Sequence, residues 1–384
     1  MTKIFLINFL KKYKLRLNFL FAYYCINIFF FNTKKRIKFI SYKKSEIGST
    51  TWVDGFLRRV QNKKYRKYTY ICMISGSHEA NSFFEDLRKK QFKKYNITSI
   101  ENKLLIKFLS GIFLYKNKYV SELMHMLDYA EFCDLKKIDW LGQDYNFLEK
   151  KLKTKLGMSM DDWFVCFFSR DNNYDKINRP QMVEAFKSRN ADINSFIPAM
   201  KYVTSKGGFA IRIGTTANKK LTTSNNNKII DYPFINNRNE MDDFLLLYFC
   251  KYCVGTPSGI IDTASLNNKP IALVNNNEYL YDQQFNKSLF IPKLLLKNNN
   301  KYLTRKEYMK MIGKNTSLAR LNNLINRFDL KYIDNSQNDI LQLTEMMLKI
   351  LNGIGNEYND LRFSNYCSEN GLEIFNLFAQ KYKI

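Results

Sequence analysis

Between residues 161 and 275 the chain alternates short apolar runs with turns and with longer runs of helical periodicity. WFVCFFS reads as a first strand. The stretch RNADINSFIPAMKYVTSKGGFAIRIG, closing at Gly214, predicts a helix after Asp192, a turn at Gly207 and Gly208, and a strand over residues 209–213 with Arg212 near its carboxyl end. The pattern repeats in IIDYP, the helical MDDFLLLYFCKY, CVGTPSGIIDTA and KPIALVN. Alternation of this kind predicts a parallel sheet covered by helices, an α/β class in which ligands sit at the carboxyl ends of the strands. Chemistry is therefore expected at Ser169 and Arg170, around Arg212 and Gly214, and over the loop that holds Thr256, Ser258 and Gly259.

The flanks carry the same alternation more faintly. Residues 38–42 predict a strand, 47–51 a loop, 52–60 a helix and 68–74 a second strand, followed by the loop SGSHEAN and a helix through residues 83–92. The polar stretch KKLKTKLGMSMDD, broken by Gly157, is the expected hinge. Three parts follow from this: an N-terminal segment over residues 1–37, a first α/β domain over 38–155 and a second over 156–384. After KPIALVN come LFIPKLLL, a helix near residues 304–312, and the helical runs NDILQLTEMMLKILNG and GLEIFNLFAQKYKI.

Several separated blocks, in order WFVCFFSRDNNY, RNADINSFIPAMKYVTSKGGFAIRIG, IIDYP, MDDFLLLYFCKYCVGTPSG and LFIPKLLLKNNNKYLTRKEYM, resemble a family of bacterial glycosyltransferases associated with surface polysaccharide synthesis. The likeness runs from about residue 47 to the C-terminus and is dense over residues 161–304. It implies a GT-B-like architecture: two Rossmann-like domains facing across a cleft, the second holding a nucleotide-activated sugar. It also implies that the tail GLEIFNLFAQKYKI crosses back onto the first domain. The family pattern has a Gly-His pair in the first loop; here Gly48 is followed by Ser49, which keeps a close backbone approach to ligand and removes a base at that position.

Charge modifies this picture at one end only. The net charge is +26, and the first 70 residues hold seventeen Lys or Arg against two acids, Glu46 and Asp54. The apolar run LNFLFAYYCINIFFFNT lies between basic clusters and falls just short of the ~20 residues of a spanning helix. It predicts a helix lying on an anionic membrane surface at the cytoplasmic face of the inner membrane, with a spanning anchor or a core helix as alternatives. Basic residues elsewhere are spread thinly and are not interleaved with stacking aromatics, so nucleic acid is not an expected partner. Seven cysteines, several inside apolar runs, read as reduced thiols packed as small hydrophobes. Cys250 and Cys253 have CxxC spacing without a second pair or a nearby histidine, and core packing is the expected role.

Among candidate site residues, the loop GTPSG combines turn-forming Gly255 and Gly259 with the hydroxyls of Thr256 and Ser258 before a helix. Either a diphosphate sits there or the loop is an ordinary strand-to-helix turn with a serine cap. Arg170 and Arg212 both end strands of one sheet, and arginine suits a leaving diphosphate because its planar fork grips two oxygens and stays charged. The plain alternative for each is a surface ion pair. Arg179 and Arg189 follow as weaker candidates, Asp231 and Tyr232 as contacts to base or ribose, and Asn275 as a sugar contact or a loop cap. For the base, His78 with Glu79 beside it is the better placed of two histidines, with Asp54 and Glu46 as fallbacks and a structural role as the alternative. No DxD pair follows a strand, so transfer is expected to be metal-independent, with no resident cofactor.

The expected activity is transfer of a sugar from a nucleotide-sugar donor to a cell-surface glycan or lipid-linked glycan acceptor. The alternatives are an epimerase-like enzyme of the same fold and a basic protein that binds membrane or nucleic acid without catalysis.

Overall fold

The computed structural model describes residues 36–62, 68–106, 131, 134–222, 226–277, 288–312, 318–353 and 381. The chain divides into two compact units, residues 1–126 and 127–384. The basic apolar run near the N-terminus and the C-terminal tail GLEIFNLFAQKYKI lie outside the described residues, Lys381 excepted. Among the described residues no helix is long and apolar enough to cross a membrane.

In the first unit, β1 (Arg36–Lys43), β2 (Tyr68–Ser75) and β3 (Thr98–Ile100) form a parallel sheet in that order. The helix Ser49–Gln61 starts three residues ahead of the expected position, and Gly48 is its N-cap. Asn81 caps the helix Ser82–Lys94 by accepting from the Phe84 N–H at 2.8 Å.

The second unit is built on six parallel strands: β4 (Phe164–Phe168), β5 (Phe209–Arg212), β6 (Ile229–Asp231), β7 (Tyr252–Gly255), β8 (Ile271–Asn276) and β9 (Leu289–Pro292). Their order is β6-β5-β4-β7-β8-β9, so the sequence direction of the sheet reverses between β4 and β7. This is the doubly wound dinucleotide-binding order, in which the crevice opens at the carboxyl ends of the two strands flanking the reversal. β4, β5 and β7 are buried at nearly every position, which is why each reads as an unbroken apolar run.

Helices cover the sheet as the periodicity requires. Ile197–Ser205 buries Ala199, Met200 and Val203 against Ile340, Leu343 and Met347 of Gln337–Leu351. The helix Glu240–Phe249 is capped by Asn239, and Arg238 grips Asp243 at its first turn through two bonds of 3.0 and 2.6 Å. Gly208 is a glycine because a Cβ there would lie 2.6 Å from the Trp163 ring.

The division at 126/127 sets the helix Tyr145–Lys155 in the second unit, whereas the expected boundary lay after it. Aromatic packing explains its place. The Tyr145 ring lies edge-on to Phe249 at 5.0 Å and to Tyr248 at 6.2 Å. A smaller core of Leu295, Leu303, Tyr308, Leu321 and Ile325 forms beneath the antiparallel pair β10 (Leu294–Leu296) and β11 (Lys331–Ile333).

Candidate active site

The loops that follow β4 and β7 meet at the reversal in strand order. The Arg170 N–H donates to the Thr256 hydroxyl at 2.8 Å, and the Thr256 N–H donates to the Phe168 carbonyl at 3.1 Å. The Ser169 hydroxyl donates to the Ala191 carbonyl at 2.6 Å, drawing the segment before residue 192 onto the same rim. Gly255 makes the join possible: a Cβ there would sit 2.4 Å from Ile261 and 2.6 Å from the Phe168 carbonyl oxygen. Ser258 stands at the N-cap of the short helix Gly259–Asp262, its side chain making no capping bond.

On this frame three guanidinium groups gather around one ring. Arg170, Arg179 and Arg189 lie 5.2, 5.3 and 5.6 Å from the centre of Phe186. The buried Asp175 carboxylate pairs with Arg170 and accepts from Arg179 at 2.8 and 3.2 Å. Arg189 donates instead to the Pro257 carbonyl at 2.5 Å. Burial pushes Arg189 down to about 10, with Arg170 adding repulsion, and burial also lowers Arg170 against the opposing pull of Asp175. Both remain cationic at neutral pH. Asp262, facing Arg189, is pushed up to about 7 by burial and so offsets little of the positive charge below neutrality.

The carboxyl edge of the sheet also holds polar atoms with no partner in the protein. Arg170 Nε, Asn190 Oδ1, Asn275 Nδ2 and Asn277 Oδ1 are buried and unbonded. Buried polar groups of this kind are normally satisfied, so four at one edge mark a place where water or a ligand completes the bonding. Asn277 Nδ2 donates to the Ser188 carbonyl at 3.0 Å and Lys293 Nζ to the Asn190 carbonyl at 2.7 Å, which fixes the segment carrying Arg189 against the end of β8.

Arg212 has a different fate. It is 3% exposed, and its Nη1 donates to the Lys219 carbonyl at 2.6 Å and to Asp231 at 3.1 Å. The second oxygen of Asp231 accepts from the Leu221 N–H at 2.8 Å. Arg212 and Asp231, expected at phosphate and at base or ribose, together pin the loop that begins at Gly214. That loop in turn hooks onto the one after β4, through Asn218 N–H to Asp171 at 2.9 Å and Asn173 Nδ2 to the Thr216 carbonyl at 2.9 Å. Tyr232, expected to touch the base or ribose, is fully buried beside Asp242 and cannot reach a ligand without unpacking. Asn275 adopts φ 55° and braces Asn335, each backbone N–H donating to the other's amide oxygen at 2.6 and 2.7 Å.

In the first unit, the loop carrying His78 and Glu79 is stapled to the end of β1 by Lys44 N–H to the Ser75 carbonyl at 2.9 Å and Ala80 N–H to the Lys44 carbonyl at 2.8 Å. His78 is exposed, its Nδ1 3.2 Å from the Ser77 hydroxyl, and Glu79 lies 3.7 Å from Lys44. Of the fallback bases, Asp54 is buried in an ion pair of 2.7 Å with Arg58 that holds the fold, and Glu46 forms an exposed pair with Lys43.

Two participants were missed by sequence reasoning. Phe186 lies in PQMVEAFKSRN, which folds as three short turns, Pro180–Met182, Val183–Phe186 and Lys187–Arg189, and shows no extended periodicity. Asp175 lies five residues after Arg170, a spacing that could have suggested their pairing.

No protein-family model matches the chain, and no curated protein matches it. Among solved structures it is similar to a family 9 glycosyltransferase from Veillonella parvula, at 11% identity and TM-score 0.46, covering 82% of this chain and 97% of that one. It is also similar to the iron-containing dodecameric glycosyltransferase TibC of enterotoxigenic E. coli, at 14% identity and TM-score 0.36 with 77% of each chain covered. A third is the E. coli ADP-heptose LPS heptosyltransferase II, at 11% identity and TM-score 0.39, covering 76% of this chain and 99% of that one. Likenesses this distant add no weight to what the residues themselves say.

Proposed function

We propose that the second unit binds the diphosphate of a nucleotide-activated sugar and that the protein transfers the sugar to a cell-surface glycan or lipid-linked glycan. The observation that carries this reading is the gathering of Arg170, Arg179 and Arg189 around Phe186, beside Thr256 and Ser258 at the reversal of strand order. The guanidiniums of Arg170, Arg179 and Arg189 repel one another, and an anion relieves that repulsion while bonding to Arg170 Nε and the Ser258 hydroxyl. The same groups stabilise the negative charge that grows on the leaving diphosphate as its bond to the sugar breaks, and they do so without a metal ion.

The resemblance of the sequence to GT-B-type transferases supports assigning the donor to the second unit and the acceptor to the first. There His78, with Glu79 beside it, is exposed on a loop held to the end of β1 by the backbone bonds of Lys44, and is the proposed base. The segment ahead of β1 is proposed to hold the enzyme to the cytoplasmic face of the membrane, and deletion of residues 1–35 should end its sedimentation with anionic vesicles.

A thermal-shift screen of the full chain against UDP-, ADP-, GDP-, dTDP- and CMP-sugars tests the donor assignment, since a ligand bound only by the folded state raises its stability. A diphosphate donor should raise the melting temperature in the presence of EDTA. No response to any diphosphate at millimolar concentration contradicts the proposal. Release of nucleotide only when an acceptor is present separates transfer from epimerase-like chemistry.

A further inference from the structure

A second cluster of functional groups lies behind the anion site. Cys166 and Cys253 are direct partners in the register of β4 and β7, so their side chains leave the sheet on one face. Cys250 closes the C-terminal end of the helix Glu240–Phe249 and turns back toward that face. The three sulfurs all lie within 4.8 Å of one another, and Cys250 and Cys253 approach to 3.4 Å. All three residues are fully buried, and no fourth His, Cys, Asp or Glu joins the group among the described residues.

We propose that Cys166, Cys250 and Cys253 form a three-thiolate site for one thiophilic d10 cation, Zn2+ or Cu+. The chemistry of the donor set is the first reason: thiolate sulfur selects these ions over Mg2+, Ca2+ or Mn2+. Spacing is the second. Sulfurs bound to zinc at about 2.3 Å stand roughly 3.8 Å apart in tetrahedral geometry, so the cluster reaches a binding arrangement through shifts of an ångström or less. The Cys166 and Cys250 thiols donate to the Leu246 and Leu247 carbonyls at 3.4 and 3.2 Å, bonds that are given up when the cation takes the place of the protons. Binding exchanges three S–H protons for the cation; the protons pass to solvent and no oxidant is needed.

The ion would tie β4, β7 and the helix Glu240–Phe249 together immediately behind the anion site, since Cys166 precedes Arg170 by four residues and Cys253 precedes Thr256 by three. Complete burial means that the ion enters during folding.

The full chain is therefore purified anaerobically with reductant, its metal content measured, and the denatured protein refolded with zinc, with Cu+ held by a competing chelator, or with chelator alone. One equivalent of zinc or copper retained after gel filtration is expected, with a higher melting temperature than the chelator-refolded sample. The arm that retains metal identifies the ion. Refolding with Co2+ should add thiolate-to-cobalt charge-transfer absorption. Cys250→Ser, at the helix end, should lose the equivalent, whereas Cys72→Ala, in the first unit, should keep it. The proposal is overturned if the wild-type protein folds with neither metal in any arm, whether its cysteines stay free or Cys250 and Cys253 are found as a disulfide. It is also overturned if Cys250→Ser retains metal as the wild type does.

Discussion

Two adjacent strands of the same sheet carry an arginine at or just past their carboxyl ends, and the two do opposite things. At the end of β5, Arg212 faces Asp231 and a backbone carbonyl, and its bonding is complete within the protein. At the end of β4, Arg170 shares Asp175 with Arg179, leaves Nε without a partner, and stands in a group of three guanidiniums. In sequence they look alike. What separates them is how they are partnered: Arg212 has Asp231 and a backbone carbonyl to itself, whereas Arg170 and Arg179 share the Asp175 carboxylate and Arg189 turns to the Pro257 carbonyl. A balanced strand end holds a loop in place. An incompletely partnered one, at the point where strand order reverses, is where the proposed anion would bind.

Removing the balanced arginine should cost the most stability. Arg212→Ala removes the guanidinium from Asp231 Oδ1 and from the Lys219 carbonyl and should destabilise the protein by about 2–4 kcal/mol in urea unfolding. The folded fraction should still respond to nucleotide, and a variant of unchanged stability that no longer binds would reverse the roles given to the two arginines. Gly255→Ala forces a methyl group against Ile261 and the Phe168 carbonyl oxygen, and should cost about 1–3 kcal/mol. Because that turn carries Thr256, nucleotide affinity should fall together with the melting temperature.

Phe186→Ala removes the ring that the three guanidiniums share. The expected loss is roughly tenfold in diphosphate affinity, about 1.4 kcal/mol, measured by ligand titration. Unchanged affinity would show that the ring only fills space.

A further effect is a dependence on pH. The Asp262 carboxyl is raised to about 7 in the folded protein, while in the unfolded chain it ionises near an ordinary value of about 3.9. Between those values the unfolded chain gives up its proton first, so this group's stabilising contribution is present below pH 4 and is lost as pH rises toward 7. Asp262→Asn should flatten the fall in melting temperature across that window. It should also remove a weakening of anion binding above pH 7, where the ionised carboxylate of the wild type cancels part of the charge of Arg189.

How much of this the sequence shows depends on the range of the interactions. The strands and helices of the second unit are readable because each apolar run is bounded by glycine, proline or a capping residue within a few positions: Gly207 and Gly208 before β5, Asn239 before its helix, Gly255 at the end of β7. The approach of Arg170 to Thr256 follows from the topology that this alternation implies. The pairing of Arg212 with Asp231 spans a loop whose path no local pattern sets, and so a completed ion pair looks like an available cation. Phe186 escapes notice because three short turns have no period to detect. Likewise, Cys166 joins Cys250 and Cys253 only through the neighbourhood of β4 and β7, a matter of strand order across some eighty residues that CxxC spacing does not contain.

Calorimetric titration of wild type, Arg189→Ala and Arg212→Ala, side by side, with the nucleoside diphosphate that gives the largest thermal shift tests the central claim most directly. Arg189→Ala should weaken binding about 100-fold, roughly 2.7 kcal/mol, with little change in stability, while folded Arg212→Ala binds as the wild type does. Undiminished binding by Arg189→Ala would contradict the assignment of the diphosphate to the arginine group at the end of β4.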